Sequence, residues 1–472
     1  MKVEQIYTGC LAHGAYYIES NGEAAIVDPL RETEPYIKRA EENGAKIKYV
    51  LETHFHADFV SGHLDLAEKT GAKIVFGPNA QPEYDAHIAA DDEILTLGDV
   101  KIKVLHTPGH TMESSTFLLI DENGKEHAIF SGDTLFIGDV GRPDLAVKTD
   151  LSREDLAGHL YESLHNKIMS LPDDVIVYPG HGAGSACGKN MSSETTDTLG
   201  NQKKTNYALQ DMSKEKFVKE VTDGLVAPPQ YFPKNAVMNK KGYGSFDEVL
   251  EKGNVALTPE EFENIVNSAG ALMLDVRDPE DFTAKHIPNS ISIGLDGSFA
   301  GWVGTLIPEL SQPIVLIADE GSEEEAITRL SRVGYDNTLG FLKGGIEAWE
   351  KSGKETDSIK NVTAEEFTSL LKNKKVNEVV DVRKESEHKS QSLKNDVVRN
   401  IPLDFINDKM KEFNANETTY LHCAGGYRSV ITASILKSRG HHNLVNIKGG
   451  FDDIKEVEDV ELTDYVCPST ML

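Results

Sequence analysis

The chain has 472 residues, a formal net charge of −29 at pH 7 and 39% hydrophobic residues. This length predicts about three domains, and so strong a negative charge argues against nucleic acid and anionic membrane as partners. No run approaches the roughly 18 consecutive apolar residues of a membrane-spanning helix, and the first residues lack the apolar core of a signal peptide. Four cysteines spread along the chain do not form a disulfide framework. We therefore expect a cytoplasmic protein.

The first distinctive segment is a cluster of possible metal donors. Residues 53–59 read Thr-His-Phe-His-Ala-Asp-Phe, so His54, His56 and Asp58 lie close together in the sequence. Three further donors each come soon after a short apolar run, at 100–105, 128–130 and 175–177; they are His110, Asp133 and His181. Such runs predict buried strands, so each of these donors is expected on a loop at a strand end.

In their order and with their flanking glycines, these motifs resemble the metallo-β-lactamase superfamily. The resemblance implies an αββα sandwich, and the superfamily pattern T-H-x-H-x-D-H has a histidine where this chain has Phe59. That replacement argues for one metal in place of two. Asp58 and His181, which would bind the second metal, are then expected to make hydrogen bonds that orient the true ligands.

The metal itself is predicted from the donor types. Two imidazoles and one carboxylate with open positions beside them suit non-heme Fe(II), and His54, His110 and Asp133 supply that set. We predict one Fe(II) per chain. The role of His56 stays open, because as a third histidine on the same ion it would make the site resemble zinc, and otherwise it hydrogen-bonds beside the site.

Residues 1–245 resemble the persulfide dioxygenase branch of that superfamily, a group related to glyoxalase II. The resemblance implies a mononuclear iron, held by His54, His110 and Asp133, that oxidises the terminal sulfur of a low-molecular-weight thiol persulfide to sulfite. Gly141-Arg142-Pro143-Asp144 resembles the family's G-R-x-D segment near the substrate. Arg142 is therefore a candidate for binding an anionic thiol.

The second half of the chain contains a repeat. Asp-Val-Arg at 275–277 recurs at 381–383, an offset of 106 (381 minus 275), and Lys-Gly-Gly at 343–345 recurs at 448–450, an offset of 105 (448 minus 343). Each copy alternates apolar strands with helical stretches, which predicts an α/β domain with a parallel sheet. The two copies resemble rhodanese domains. We predict domains at 1–245, 255–353 and 359–465.

The copy at 359–465, named the active copy here, contains the loop Cys423-Ala-Gly-Gly-Tyr-Arg428 between a strand and a helix. Loop amides and the helix N-terminus direct positive ends at the sulfur, and Arg428 adds a full charge, so the thiolate is favoured. This six-residue C-x-x-x-x-R loop resembles the rhodanese active site, which implies transfer of sulfane sulfur through a Cys423 persulfide.

The copy at 255–353, named the silent copy, reads Ile317-Ala-Asp-Glu-Gly-Ser-Glu323 at the equivalent position. No cysteine occurs between 187 and 423, and acidic residues there repel an anionic persulfide. We expect this copy to have no part in sulfur transfer. Cys187, six residues after His181, is a candidate for carrying a persulfide near the iron, or else a packed thiol.

These features predict a bifunctional enzyme of sulfide detoxification. The first domain oxidises a persulfide with O2 to sulfite, and Cys423 passes a second sulfane sulfur to sulfite, giving thiosulfate. The thiol carrier (coenzyme A, glutathione, bacillithiol or cysteine) stays open, and a homo-oligomer is expected. The alternatives are a glyoxalase II-like zinc thioester hydrolase with a rhodanese appendage, and a carrier that relays persulfide without oxidising it.

Overall fold

The computed structural model describes residues 1–146, 151–225 and 227–467. The chain divides into two compact units. The first comprises Met1–Glu248 together with Ser331–Gly334, and the second comprises Val249–Leu330 and the chain from Tyr335 onward.

Two six-stranded sheets form the centre of the first unit. One has the order β1-β2-β3-β4-β5-β6 and the other the order β12-β11-β10-β9-β8-β7. The strands of the first sheet are β1 (Lys2–Thr8), β2 (His13–Ser20), β3 (Glu23–Val27), β4 (Lys46–Glu52), β5 (Lys73–Phe76) and β6 (His87–Ile88). The strands of the second are β7 (Ile94–Leu97), β8 (Val100–His106), β9 (Ser115–Ile120), β10 (Glu126–Gly132), β11 (Ile176–Pro179) and β12 (Asp197–Thr198).

The apolar pattern of the strands explains how the layers form. In β8, Val100, Ile102 and Val104 are buried whereas Lys101 is exposed, which is the period of a sheet with one core face. Side chains of both sheets, among them Val27, Leu51, Ile102, Phe117 and Phe130, share one core cluster. The predicted strands after which His110, Asp133 and His181 follow are present as β8, β10 and β11.

Helices cover the outer faces of the two sheets. The described helices of this part of the chain are α1 (Glu34–Glu42), α2 (His63–Thr70), α3 (Arg153–Ser163), α4 (Leu199–Thr205), α5 (Lys214–Thr222), α6 (Phe232–Lys241) and α7 (Phe246–Gly253). Tyr36 and Leu66 pack with Ile26 of the first sheet, while Leu160 and Phe217 pack with Ile129 of the second. The predicted αββα sandwich is confirmed.

The second unit holds two five-stranded sheets of parallel strands with one topology repeated. The first has the order β13-β17-β16-β14-β15 and the second β18-β22-β21-β19-β20. The strands are β13 (Ala256–Leu257), β14 (Leu272–Asp275), β15 (Ile291–Ser292), β16 (Ile314–Ile317), β17 (Thr338–Leu342), β18 (Lys360–Val362), β19 (Glu378–Asp381), β20 (Val398–Asn400), β21 (Thr419–His422) and β22 (Leu444–Ile447). The predicted parallel α/β copies are therefore confirmed.

The helices of the second unit follow the same repeat. They are α8 (Pro259–Ala269), α9 (Pro279–Ala284), α10 (Phe299–Leu306), α11 (Glu323–Arg332), α12 (Gly345–Lys351), α13 (Ala364–Lys372), α14 (Glu385–Ser390), α15 (Ile406–Lys409), α16 (Tyr427–Ser438) and α17 (Gly450–Ile454). Thr258 and Thr363 begin α8 and α13 with capping boxes, each accepting a hydrogen bond from the backbone of the third helical residue. Across the described part of the chain, every helix is too short or too polar to cross a membrane.

Candidate metal centre and sulfur-transfer loop

Three of the predicted donors come together in the first unit. His54 follows β4, His110 follows β8 and Asp133 follows β10, and one ligand atom from each lies within 4.8 Å of the others. Nε2 of His54 is 3.9 Å and Nε2 of His110 is 3.5 Å from Asp133 Oδ2. All three side chains are buried. The fold therefore places two imidazoles and one carboxylate around one point.

Hydrogen bonds to the far side of each ring fix the orientation of both histidines. Nδ1 of His110 lies 2.9 Å from the carbonyl oxygen of Arg142, to which it donates as the N–H tautomer. Nδ1 of His54 lies 3.0 Å from Oγ1 of Thr53, whose hydroxyl donates to Asp28. These contacts turn both Nε2 atoms towards Asp133, which is how protein side chains usually prepare an imidazole to bind a metal.

Two glycines allow their loops to pack closely against Asp133. A Cβ on Gly141 would stand 1.9 Å from the carbonyl oxygen of Asp133. A Cβ on Gly180 would stand 2.7 Å from Asp133 Oδ1. A side chain at position 141 would displace the backbone of Asp133, and one at position 180 would displace its carboxylate, so these glycines of the motifs have a packing role.

The electrostatics of the three donors fit a bound cation. Burial and the neighbouring His56 lower the pKa of His54 well below its usual value, which leaves a neutral imidazole. Burial alone would raise the pKa of Asp133, but His181, His110 and His54 hold it well below its usual value. Within the described residues, Asp133 Oδ2 is buried and has no hydrogen-bond partner. A buried anionic oxygen without a partner is costly, and a metal ion held by these three residues would remove that cost.

His56 belongs to a different group of donors, with Asp28 and Glu52. Its Nε2 lies 3.1 Å from Asp28 Oδ1 and 3.7 Å from Glu52 Oε2. Phe59 is fully buried and stacks on the His56 ring with centroids 4.3 Å apart. The structure thus places His56 with two carboxylates and one aromatic ring, apart from the atoms that cluster around Asp133.

Asp58 and His181 form a second buried group beside the first. His181 lies between two carboxylates, with Nε2 2.8 Å from Asp58 Oδ2 and Nδ1 2.8 Å from Asp133 Oδ1. Cys187 joins them, since one ligand atom each of Asp58, His181 and Cys187 lies within 4.8 Å of the others. Burial and the carboxylates of Asp58 and Asp133 raise the pKa of the Cys187 thiol well above its usual value.

The predicted anion-binding residue Arg142 lies in a different environment from the one expected. Its side chain is buried and its guanidinium makes a bidentate pair with Asp144, at 2.7 Å for both Nε–Oδ1 and Nη2–Oδ2. Its Nη1 also donates to the carbonyl oxygen of Ala186. Its charge is thus neutralised within the loop, and a direct contact with substrate stays a prediction.

One residue that holds the metal loop was missed in the sequence. Asn239, in α6, donates to the carbonyl oxygens of His56 and Phe59 at 2.8 and 2.7 Å, and its Oδ1 accepts from the Ser61 amide. These bonds fix the backbone of the loop that carries His56 and Asp58. Asn239 is about 180 residues away in sequence, and no local motif marks it.

The loop of the active copy has the form expected for sulfur transfer. Cys423 follows β21 and is buried, and the backbone N–H of Gly426 donates to its Sγ at 3.1 Å. Oγ of Ser429 lies 3.7 Å from the same sulfur. Gly426 has φ +101°, which lets the loop turn its amide towards the sulfur before α16 begins.

Arg428, predicted as a catalytic residue, ends this loop and forms an ion pair with Glu387. Its two terminal nitrogens lie 2.6 and 2.8 Å from the carboxylate of Glu387. This bidentate pair fixes the plane of the guanidinium and offsets part of its charge. The remaining cysteines lie elsewhere on the chain, Cys10 partly exposed and Cys467 exposed.

The fold and these two sites define a chain with a metal-binding domain of the αββα type followed by rhodanese-type domains. A family model described as Metallo-beta-lactamase superfamily matches residues 8–181, and the Rhodanese-like domain matches residues 258–352 and 363–457. The chain therefore belongs to the metallo-β-lactamase superfamily and carries two rhodanese-like domains, as the motifs predicted.

Relatives named for two different activities have similar sequence identity to this chain. The chain is 31% identical to persulfide dioxygenase ETHE1, mitochondrial, of Homo sapiens, over 44% of this chain and 74% of that protein. It is 33% identical to hydroxyacylglutathione hydrolase GloC of Haemophilus influenzae, over 36% of this chain and 85% of that protein.

Other relatives match over different lengths. A probable hydroxyacylglutathione hydrolase of Schizosaccharomyces pombe is 34% identical, and the chain spans about two thirds of its length (66%). A crystal structure of a metallo-β-lactamase from Staphylococcus aureus has a TM-score of 0.66 and 34% identity, covering 72% of this chain and 99% of the other. The chain is thus an enzyme of the metallo-β-lactamase superfamily.

Proposed function

We propose that this chain is a non-heme iron persulfide dioxygenase joined to a sulfurtransferase. The domain at 1–245 oxidises the terminal sulfur of a thiol persulfide with O2 to sulfite, and the active copy at 359–465 converts that sulfite to thiosulfate. The silent copy at 255–353 takes no chemical part. The observation that carries the proposal is the presence, in one chain, of a two-histidine, one-aspartate donor set and a complete Cys-x-x-x-x-Arg loop.

The donor set supports iron in the first reaction. Two histidines and one carboxylate leave several coordination positions open for a substrate and dioxygen, and one Fe(II) at His54, His110 and Asp133 supplies the redox chemistry that joins oxygen to sulfur. Thr53 and the Arg142 carbonyl oxygen orient the two rings. One persulfide, one O2 and one water give one thiol, one sulfite and two protons, so the reaction needs no other reductant.

The second reaction is a pair of sulfur transfers at Cys423. Its thiolate attacks the outer sulfur of a second persulfide, the sulfur–sulfur bond of that molecule breaks, and a thiolate leaves. Sulfite then attacks the outer sulfur of the Cys423 persulfide, thiosulfate leaves and the Cys423 thiolate is restored. The Gly426 amide and the N-terminus of α16 stabilise the anionic sulfur at each stage.

A second candidate is a zinc-dependent glutathione thioester hydrolase with a rhodanese appendage. The observation in its favour is that relatives named hydroxyacylglutathione hydrolase match the first domain about as well as the dioxygenase does. Zinc bound by the same donors would activate a water molecule, which would then act as the nucleophile. A third candidate binds persulfide at the first domain and relays it through Cys423 without consuming O2.

An oxygen-electrode assay separates the three candidates. The full chain is given the persulfides of coenzyme A, glutathione, bacillithiol and cysteine, and O2 uptake, iron and zinc are measured on the same samples. We expect uptake with at least one persulfide and about one iron per chain. Thioester hydrolysis without uptake would support the hydrolase, and sulfur relay without uptake would support the carrier.

Substitution of the donors tests the ligand set. His54→Ala, His110→Ala and Asp133→Ala each remove a metal bond, so each variant should lose most of its iron and its O2 uptake. His181→Ala removes an orienting hydrogen bond and should keep much of the iron, with a loss of about 10–100-fold in affinity or activity. Full iron and full uptake in Asp133→Ala would contradict the assignment.

A further inference from the structure

A series of side-chain hydrogen bonds leads from the Cys423 sulfur into the silent copy and is not used by the proposed reactions. Its members beyond the sulfur, named the polar network here, are Ser429, Asn446, Asn361 and Thr283. The Cys423 thiol donates to Ser429 Oγ, 3.7 Å away, and the Ser429 hydroxyl donates to Asn446 Oδ1 at 2.7 Å. Asn446 Nδ2 donates to Asn361 Oδ1 at 2.9 Å, and Asn361 Nδ2 donates to Thr283 Oγ1 at 2.7 Å. The active loop is therefore connected, bond by bond, to a side chain of α9.

The fold brings these polar side chains together. Asn361 of β18 and Asn446 of β22 are direct partners across two parallel strands, so their side chains lie next to each other on one face of the sheet. The Thr283 carbonyl oxygen accepts a hydrogen bond from the Ile359 amide at 2.8 Å, which holds α9 against the chain that leads into β18. Thr283 and Asn446 are buried. Buried hydroxyls and amides are stable there because each has a partner.

One carbonyl oxygen sets the direction of every bond in the polar network. The Thr283 hydroxyl donates to the Glu280 carbonyl oxygen at 2.9 Å, and a carbonyl can only accept. Thr283 Oγ1 therefore offers a lone pair to Asn361 Nδ2, which turns the amide oxygen of Asn361 towards Asn446. In the same way the amide oxygen of Asn446 faces the Ser429 hydroxyl and accepts its hydrogen. The sulfur consequently meets a lone pair of the Ser429 oxygen.

An oxygen lone pair beside the sulfur favours a thiol over a thiolate. A thiol has a hydrogen to donate, whereas a thiolate has only lone pairs and is stabilised by donors. The Gly426 amide is such a donor. Ser429 opposes it as long as its hydrogen is held by Asn446 Oδ1 and by the Gly426 carbonyl oxygen, at 2.7 and 2.9 Å. The loop thus has one group that activates the sulfur and one that restrains it.

The silent copy has apolar residues where the active copy has the two asparagines. Ala256 pairs with Phe341 as Asn361 pairs with Asn446, and both positions are related by an offset of 105 (361 minus 256 and 446 minus 341). The same pair of strands therefore forms without a polar pair in the copy that lacks the cysteine. The two asparagines accompany the sulfur and are not needed to build the sheet.

We propose that the polar network restrains the Cys423 thiol, so that Thr283 of the silent copy sets how readily the sulfur reacts. Asn361 and Asn446 are positioning residues, which act on the sulfur through Ser429. The inference deepens the proposed sulfur transfer and rests on it. Because the thiolate is the reactive and oxidisable form of cysteine, a thiol kept protonated between turnovers is protected from dioxygen and from other electrophiles.

Alkylation of the full chain by iodoacetamide at one fixed pH near neutrality, without persulfide, measures the restraint. The thiolate sulfur displaces iodide from carbon, and the mass of the Cys423 peptide reports that thiol apart from the other cysteines. Asn446→Leu removes an acceptor of the Ser429 hydrogen, which can then turn to the sulfur. Thr283→Val frees the two amides to turn over and to donate to Ser429, with the same result. We expect alkylation to be roughly 10-fold faster in Asn446→Leu and about 3-fold faster in Thr283→Val, because a hydrogen bond to a charged group is among the stronger ones.

Matched variants separate the restraint from a loss of packing. Thr283→Ser keeps the hydroxyl and should keep the parent rate. Thr368→Val removes a similarly buried hydroxyl, which donates to the Ala364 carbonyl oxygen of its own helix at 2.7 Å, and it should have no effect. In a Ser429→Ala background, Thr283→Val should no longer change the rate, because no hydroxyl is left to turn. A loosened fold would expose Cys423 in that background as well.

Two results would overturn the restraint. One is a rate in Thr283→Val that is no higher than the parent rate, and the other is the same acceleration by Thr283→Val with and without the Ser429 hydroxyl. Neither result bears on sulfur transfer itself, because no persulfide is present. Sulfur transfer is judged separately, by the thiosulfate that the parent chain forms from a persulfide.

Discussion

The two rhodanese-like copies share a glycine with positive φ at the equivalent loop position and differ in the groups that the loop carries. In the silent copy the chain passes from β16 through Gly321, with φ +91°, into α11. In the active copy it passes from β21 through Gly426, with φ +101°, into α16. Ile317 pairs with Asp275 as His422 pairs with Asp381, so Ala318 is the equivalent of Cys423.

The difference lies in two side chains and one amide. Ala318 stands in place of Cys423, and Glu323 stands in place of Arg428. The Gly426 amide donates to the Cys423 sulfur at 3.1 Å, whereas the Gly321 amide donates to the Glu323 carboxylate at 2.8 Å. The silent loop therefore satisfies its own amide with an internal anion. Both copies thus have the loop, but only the active copy has the side chains that we propose for sulfur transfer.

The buried Asp-Arg pair behind each loop differs as well. Burial raises the pKa of Asp275, and Arg277 offsets only part of that rise. Burial alone would also raise the pKa of Asp381, but hydrogen bonds from His388 and Arg383 and the nearby His422 hold it below its usual range. Folding thus favours the charged form of Asp381 and disfavours the charged form of Asp275.

The largest expected effect is on the stability of the two sheets. At neutral pH, Asp381→Asn should lower the opening free energy of its copy by about 3 kcal/mol, and Asp275→Asn should lower it by less, because burial already disfavours the charged form of Asp275. The Asp381 contribution is present above the ordinary aspartate pKa of about 3.9 and is lost as the pH falls towards its lower folded value.

Hydrogen exchange of the amides in β19 and β14 measures the two copies separately within the full chain. Equal losses in the two variants, or a larger loss for Asp275→Asn, would contradict the difference in charge environment. Exchange in β4 of the first unit is the internal reference, and it should not change in either variant.

Transfer of the missing groups to the silent loop is the next test. In a Cys423→Ser background, the double variant Ala318→Cys/Glu323→Arg should accept a sulfane sulfur at position 318, seen as a mass increase on that peptide. Ala318→Cys alone should react roughly 10–100-fold more slowly, because the Glu323 carboxylate occupies the amide and repels an anionic persulfide.

The variant Ala318→Cys/Glu323→Gln separates charge from hydrogen bonding and should react at an intermediate rate. Equal rates for the single and double variants would contradict this role of the Glu323 carboxylate on the Gly321 amide.

The smallest expected effect concerns the contact between the copies. The Tyr427 hydroxyl, in the active loop, donates to the Gly294 carbonyl oxygen of the silent copy at 2.7 Å. Tyr427→Phe should lower the unfolding free energy of the second unit by about 1 kcal/mol. Ser322 holds the equivalent position and bonds within its own loop, so Ser322→Ala should stay within about 0.5 kcal/mol. Urea denaturation measures both, and a larger loss for Ser322→Ala would contradict the account.

The sequence was sufficient for the parts that depend on local pattern. Short apolar runs predicted β8, β10 and β11, and therefore the loops of His110, Asp133 and His181. The Asp-Val-Arg and Lys-Gly-Gly repeats predicted two parallel sheets of one topology. In each case the local structure follows from residues a few positions away along the chain, so packing elsewhere in the fold does not alter it.

Contacts between distant segments could not be predicted in this way. Asn239 reaches a loop about 180 residues earlier, and the Cys187 sulfur meets Asp58 only after β11 and its loop have folded. Phe59 showed that one donor was absent, but not that a cysteine lies beside the remaining ones.

The most direct test of the central claim is the product that Cys423→Ser releases from a persulfide. The substitution keeps the loop and its amides but replaces the thiolate with a hydroxyl that stays protonated near neutral pH. We predict that O2 uptake continues and that sulfite accumulates in place of thiosulfate, measured by chromatography after complete turnover. Thiosulfate formed at the parent rate would contradict the claim that Cys423 is the site of sulfur transfer.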